Sequence, residues 1–449
     1  MSNHSIIRIT RELGDLQKGS DLSLAVACRD VDVRNVKALI IGPPGTPYEF
    51  GFFEFNVKFV KEYPGKAPLV TATTTNGGRC RFNPNIYAQG KVCLSILGTW
   101  GGERGEEWSS AQGLESILIS IQSLMSSNPY ENEPGYESAN EEGDKQNQND
   151  YVMKIRHESL RITVIQRLEE YLNISPSGVV QPVKLSFDGE DSEEDEPYER
   201  IWDDSSVDFE PFKDLSKRRF LWYYDSYLQA IEKAKTEVAD GTNFTRMPFE
   251  KSGNDMVGKF GYAELERRLK LIKTTIDNET LRWADEGLAS VKKESTISVN
   301  LRRQFEAVVE LYKRNKTVTL DIELENNNPF VWNLTYIGRP MTNLDGGLFR
   351  IKLYFSTRFP EDQVRAKFET QLFHHRLAAD GTPCYTAKRP EDIQSHIEAI
   401  IEALEEEHPP YDPRTMVNPE AGKLYWGSVE DKKKYNRQLR RSVQRSMEE

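Results

Sequence analysis

The sequence predicts an α+β protein in which one domain occurs twice, with helices between the copies. Three observations carry this. Residues 42–64, GPPGTPYEFGFFEFNVKFVKEYP, return in pattern at 338–360, GRPMTNLDGGLFRIKLYFSTRFP. Each copy is preceded by an amphipathic helix and followed by a helical apolar stripe. Helix, strands, then helices is an α+β order, and 449 residues suffice for two to four domains at roughly 100–200 residues each.

The first helix spans residues 6–16. In the repeat, Gly42, Pro44 and Gly51 match Gly338, Pro340 and Gly347, and Phe53, Phe55, Val57 and Phe59 match Phe349, Ile351, Leu353 and Phe355. Tyr63-Pro64 matches Phe359-Pro360 at the same offset of 296 residues. Strict alternation after a Gly/Pro turn predicts a half-buried antiparallel strand. The stripe after the first copy is Leu114, Ile117, Leu118, Ile121, Leu124 and Met125. After the second it is Ile393, Ile397, Ile400, Ile401 and Leu404, and that copy opens with a helix over 301–312. Further helices are predicted at 151–172, 219–238 and 262–276. The Phe220, Tyr223, Tyr227, Ile231 face reads as packing rather than a cofactor box. The predicted domains are a first copy at 1–175, an acidic linker at 176–212, a helical extension at 213–292 packed on the first copy, and a second copy at 293–449.

Seven of the nine residues 188–196 are acidic, so much of the net charge of −12 is local. No half of the chain is strongly basic, which argues against nucleic-acid binding. No apolar signal core opens the chain, and no apolar run approaches the ~18 residues of a membrane span. The expectation is a cytoplasmic or nuclear protein with reduced thiols and no membrane partner. Its four cysteines fit neither a disulfide framework nor a zinc site, so no cofactor or metal is expected. The loop GTWGGERGEE at 98–107 lacks the GK[ST] of a phosphate cradle. It reads either as a surface loop or as an acidic flap whose Glu103, Glu106 and Glu107 steer a lysine.

Cys93 follows Asn85 by eight residues and Gly90 by three; Cys384 stands identically to Arg376 and Gly381. A cysteine can take an acyl group as a thioester for an amine to attack, if the thiol is reachable. An Asn amide suits the developing oxyanion. The first copy has no histidine between His4 and His157, so a protease-like triad is not readable. Cys28, in LSLAVAC, reads as core, and Cys80 as an accidental and partly exposed thiol.

Five elements in order resemble the ubiquitin-conjugating (UBC) family. They are Pro47-Tyr48-Glu49-Phe50-Gly51, Tyr63-Pro64-Gly65-Lys66-Ala67-Pro68, Asn83-Pro84-Asn85, Cys93 and Trp108-Ser109-Ser110-Ala111. The segments Cys93 to Trp100, Ser120 to Met125 and Asn128 to Glu137 resemble the large Z-type branch of that family, a likeness that runs over about residues 5–280. The resemblance implies a four-stranded antiparallel meander in each copy. It implies that Cys93 accepts ubiquitin or a ubiquitin-like modifier from a ubiquitin-activating enzyme and passes it to lysines of protein substrates. Asn85 would stabilise the oxyanion or fix the loop. Glu131 and Glu133 would orient or deprotonate the lysine, or shape their turn. Arg8, Arg11 and Lys18 would meet the activating enzyme, or form a solvated helix face. The loops at Tyr63-Pro64 and Trp108 to Ala111 would meet ubiquitin ligases, although Gly65 offers no side chain there. In the second copy Asn83, Pro84 and Asn85 become His374, His375 and Arg376, and no Trp stands after Cys384 where the counterpart of Trp108-Ser109-Ser110-Ala111 should be. Cys384 with Arg376 is either a second acceptor site or the remnant of one in a binding module.

Overall fold

The computed structural model describes residues 2–19, 21–101, 105–138, 142–181, 209–251, 256–315 and 317–448. The acidic run at 188–196 lies outside them, as does Glu103. The chain divides into two compact units, Met1–Lys213 with Phe244–Val257, and Asp214–Asn243 with Gly258–Glu449.

In the first unit, helix α1 (Ser2–Lys18) precedes strands β1 (Leu24–Arg29), β2 (Asp32–Ile41), β3 (Phe52–Lys58) and β4 (Leu69–Ala72), which form an antiparallel meander in sequence order. The alternating Phe53, Phe55 and Val57 face inward. They meet Ile9 and Leu13 of α1 and Leu114, Ile117, Leu118 and Ile121 of α2 (Leu114–Leu124) in one core. Burying each such side chain is worth roughly 1.5–3 kcal/mol. Leu124, expected in the stripe, is only half-buried and offers its carbonyl to the loop described below.

The predicted helix at 151–172 is longer and interrupted. It runs as α3 (Glu142–Glu158), a π-helical stretch Ser159–Gln166 and α4 (Arg167–Leu172). Within that stretch the Thr163 hydroxyl donates to the Ser159 carbonyl at 2.7 Å and accepts the Phe52 N–H at 3.2 Å. The helix is thereby stitched to the start of β3 where its ladder widens. Arg167 reaches Glu54 on the same outer sheet face at 2.7 Å, so Phe52 and Glu54 are buried there despite the alternation.

The second unit contains α5 (Lys213–Glu237), α6 (Tyr262–Lys292), α7 (Thr296–Arg314), β5 (Thr319–Leu324), β6 (Val331–Ile337), β7 (Leu348–Tyr354), β8 (Arg365–Phe368), α8 (Ile393–Glu405), α9 (Pro419–Tyr425) and α10 (Val429–Arg445). The sheet order is again a simple meander. Its register repeats the first residue by residue at the 296 offset. Val26–Ala38 becomes Ile322–Leu334, Ala38–Phe55 becomes Leu334–Ile351, and Phe55–Ala72 becomes Ile351–Phe368. The matched glycines share a reason. A Cβ on Gly42 would lie 1.7 Å from the Tyr48 carbonyl oxygen, and one on Gly338 1.8 Å from that of Leu344. The stripe from Ile393 to Leu404 is buried throughout.

The predicted extension at 213–292 is divided between the two units. Its helices fall in the second unit, and only the strap between them, Phe244–Val257, falls in the first. Met247, Phe249 and Met256 of the strap join the first core. Lys154 of α3 anchors it by donating to Glu250 at 2.6 Å and to the Thr245 carbonyl at 2.9 Å. Lys154 and Glu250 are both buried, so each neutralises a charge that would be costly alone.

Candidate active site

Two residues eight apart close the loop around Cys93. The Cys93 N–H donates to the Asn85 carbonyl at 2.8 Å, and the Asn85 side-chain amide donates to the Cys93 carbonyl at 3.0 Å. Asn85 in turn rests on Asn83, whose Oδ1 accepts the Asn85 N–H at 2.9 Å. The other end of the Asn83 amide donates to the Tyr48 hydroxyl at 3.0 Å and the Leu124 carbonyl at 2.8 Å. An amide supplies an acceptor and two donors at once, so Asn83 is employed at both ends. Gly90, at φ +89°, opens this turn in a left-handed conformation, with its Cβ position only 2.5 Å from the Ala72 carbonyl oxygen.

Acyl transfer requires a reachable thiol, yet Cys93 is 3% exposed. The turn after it is drawn in by Thr99, which donates to the Val92 carbonyl at 2.7 Å, and by Ser95, which donates to Glu106 at 3.2 Å. Glu106 and Glu107 are exposed.

Arg81 was not singled out from the sequence. Its side chain is 6% exposed and donates to the Pro84 carbonyl at 2.6 Å and to Glu133 at 3.1 Å. Its guanidinium lies 4.4 Å from the Tyr87 ring centre and 6.0 Å from that of Phe249. The sequence offers only an arginine set between Cys80 and Phe82. Glu133 is thus paired inside the fold, while Glu131 is exposed. Cys80 is buried, not partly exposed, with Sγ 3.9 Å from Sδ of Met256 in the strap. Cys28 is half-buried and packs against the first core, next to the bulge between Cys28 and Arg29.

Of the residues expected to meet partners, Arg11, Lys18 and Ala111 are exposed. Arg8 is occupied within the fold, donating to Glu12 at 2.7 Å and to the Gln112 carbonyl at 2.6 Å. Glu12 also accepts the Tyr63 hydroxyl at 2.7 Å and the Leu114 N–H at 2.9 Å. Tyr63 is therefore a buried strut rather than an outward contact. Half-buried Trp108 donates to the carbonyl of half-buried Pro64 at 2.8 Å, so the two loops brace one another and leave Gly65 exposed.

The second unit keeps the loop but not its side chains. The Cys384 N–H donates to the Arg376 carbonyl at 2.8 Å, and the Arg376 N–H donates to Nδ1 of His374 at 3.0 Å. The Arg376 guanidinium turns away to Glu406 at 2.9 Å. Burial pushes the Cys384 thiol up to about 11, against the opposing pull of Arg376 and Arg219. Burial and then Arg376 push His374 down to about 3, so its ring stays a neutral acceptor. His374 and His375 are stacked at 4.4 Å, and His375 lies against Tyr425 and Trp426. Among the described residues no group of three or more His, Cys, Asp or Glu could hold a metal. Among them, too, no helix is long and apolar enough to cross a membrane.

The model of the ubiquitin-conjugating enzyme family matches residues 8–159 and again 301–443. Ubiquitin-conjugating enzyme E2 Z of Xenopus tropicalis is 47% identical over 168 residues, 37% of this chain and 52% of that protein. The E2 Z of Danio rerio is 46% identical over 272 residues, 61% of this chain and 69% of its own length. The dual E2 ubiquitin-conjugating enzyme/E3 ubiquitin-protein ligase BIRC6 of Homo sapiens is 42% identical over 164 residues, 36% of this chain and 3% of that one. The chain thus spans about half the length of the Xenopus relative.

Proposed function

The chain belongs to the ubiquitin-conjugating enzyme family, and on that premise we propose that Cys93 carries ubiquitin or a ubiquitin-like modifier as a thioester. The Cys93 thiolate attacks the thioester carbonyl of a charged activating enzyme, whose cysteine leaves as the thiolate. A substrate lysine amine then attacks the Cys93 thioester, an amide bond forms, and the Cys93 thiolate is released. The observation that carries this reading is the reciprocal pairing of Asn85 with Cys93. The pairing keeps the Asn85 amide on the Cys93 backbone, which supports a role as donor to the charge that develops on oxygen. Arg11, Lys18 and the braced loops at Pro64 and Trp108 to Ala111 are the surfaces for activating enzyme and ligase.

We assign the second unit a binding or positioning role. An Arg376 side chain committed to Glu406 rather than turned back onto the cysteine, together with a raised Cys384 thiol, supports this over a second acceptor site. The test is charging the full chain with activating enzymes and labelled modifiers. Wild type and Cys384→Ala should form an adduct that dithiothreitol removes, and Cys93→Ala should not. An unchanged adduct in Cys93→Ala would sink the assignment. The 3% exposure of Cys93 favours one second reading, a non-catalytic interaction protein of the ubiquitin pathway. Failure of the wild type to charge with several activating enzymes would select it.

A further inference from the structure

We propose that Arg81 is a positioning residue through which the 244–257 strap sets the Cys93 loop, an inference that rests on the thioester reading above. The Pro84–Asn85 peptide is gripped on both sides. Its N–H is held by Oδ1 of Asn83 at 2.9 Å and its carbonyl by the Arg81 guanidinium at 2.6 Å. The plane of that peptide sets the direction in which the Asn85 side chain leaves the backbone, and hence where its amide meets the Cys93 carbonyl.

Arg81 is itself aimed by its surroundings. Glu133 takes one end of the guanidinium, Tyr87 covers a face, and Phe249 borders it. Phe249 cannot drift, because it is wedged between Tyr130, Tyr136 and Tyr151 at ring distances of 5.3–5.6 Å. The next residue is Glu250, the buried partner of Lys154. Phe249, held among three tyrosines, thus backs a guanidinium that backs the active loop. In the second unit the position matching Arg81, counted from the cysteine, is Leu372, which is buried. There the carbonyl of the matching peptide, that of His375, is taken by the backbone N–H groups of Val417 at 3.0 Å and Asn418 at 3.2 Å, so no side chain of the strap bears on it.

The full chain is first charged on Cys93, and discharge to free lysine is followed in a single turnover. Charging tests the thioester reading; discharge of the charged form tests the role of Arg81. Arg81→Leu should charge normally and lower the maximal discharge rate about tenfold, well within the ~10²-fold loss a misplaced group can cause. The half-saturating lysine concentration should stay unchanged. Arg81→Lys should recover part of the rate. Phe249→Ala should slow discharge by a smaller factor, and adding it to Arg81→Leu should cause no further loss, as expected of residues acting in series. Phe244→Ala loosens the far end of the strap, where Phe244 packs on His157, and controls for general destabilisation. Unchanged discharge in Arg81→Leu would overturn the proposal. So would an equal slowing in Phe244→Ala at matched thermal stability, or a failure of Arg81→Lys to recover any rate.

Discussion

The two units carry one backbone and two sets of side chains. Their sheets share register at every pairing. Both cysteines donate their N–H to the carbonyl eight residues earlier at 2.8 Å, and in both an acceptor two residues further back holds the next N–H. The difference lies in the side chains those frames hold. Asn85 turns back onto the cysteine, whereas Arg376 turns outward to Glu406. Trp108 braces the Tyr63-Pro64 loop, whereas Phe359 at the matching turn is buried in the second core against Phe355 and near His396. Backbone geometry at this duplicated site is thus retained by the same backbone hydrogen bonds and a local side-chain acceptor. Chemistry is retained only where a side chain remains aimed at the nucleophile.

Exchanging the aimed side chains should give the largest effect. Asn85→Ala should slow discharge from Cys93 by roughly 10²–10³-fold, the cost of one oxyanion donor. Arg376→Ala should leave that rate within about twofold in the same assay. A loss of charging rather than of discharge in Asn85→Ala would show that its role is to fix the loop.

A medium effect separates the two acceptors. His374 is held at about pH 3 when folded and titrates near its ordinary 6.5 when unfolded. Between those values the unfolded chain binds more protons, so the stability of the second unit should fall as pH falls from 6.5 toward 3. Asn83 has no such proton. His374→Asn should therefore flatten that part of the pH profile in denaturant titrations followed by probes in the second unit. An unchanged slope would show that other groups set it.

The smallest effect concerns one turn. Gly45 has φ +72°, and at the matching place Met341 has φ +66° with 92% exposure. Both turns use the same tie, from that residue's N–H to Glu49 or Asp345. Left-handed backbone costs an L-residue about 1 kcal/mol, so Met341→Gly should raise the unfolding midpoint of the second unit and Gly45→Met should lower that of the first. Equal midpoints would mean the turn tolerates either residue.

Much of this was legible because it is periodic. Phe53, Phe55 and Val57 repeat every two residues, Ile393, Ile397 and Ile400 at helical spacing, and a period reports which side faces the core. The Asn85–Cys93 spacing was also legible, because a short loop brings residues eight apart together. What stayed hidden rests on single, non-local contacts. Nothing around Lys154 announces Glu250, nearly a hundred residues on. Arg81 looks like any surface cation until Phe249 and Glu133 close over it. Tyr63 and Arg8 were assigned outward because their partners, Glu12 and the Gln112 carbonyl, lie on other elements.

The strap also changes what counts as a piece of this protein. A cut at residue 175, where composition draws the border, would separate the Lys154 ammonium from its carboxylate and empty the place that Phe249 fills. The first domain has no single end at which it can be severed. Its last packing element is written between two helices assigned to the other unit. Deletion, exchange or inheritance of one domain therefore has to carry part of the other's sequence with it.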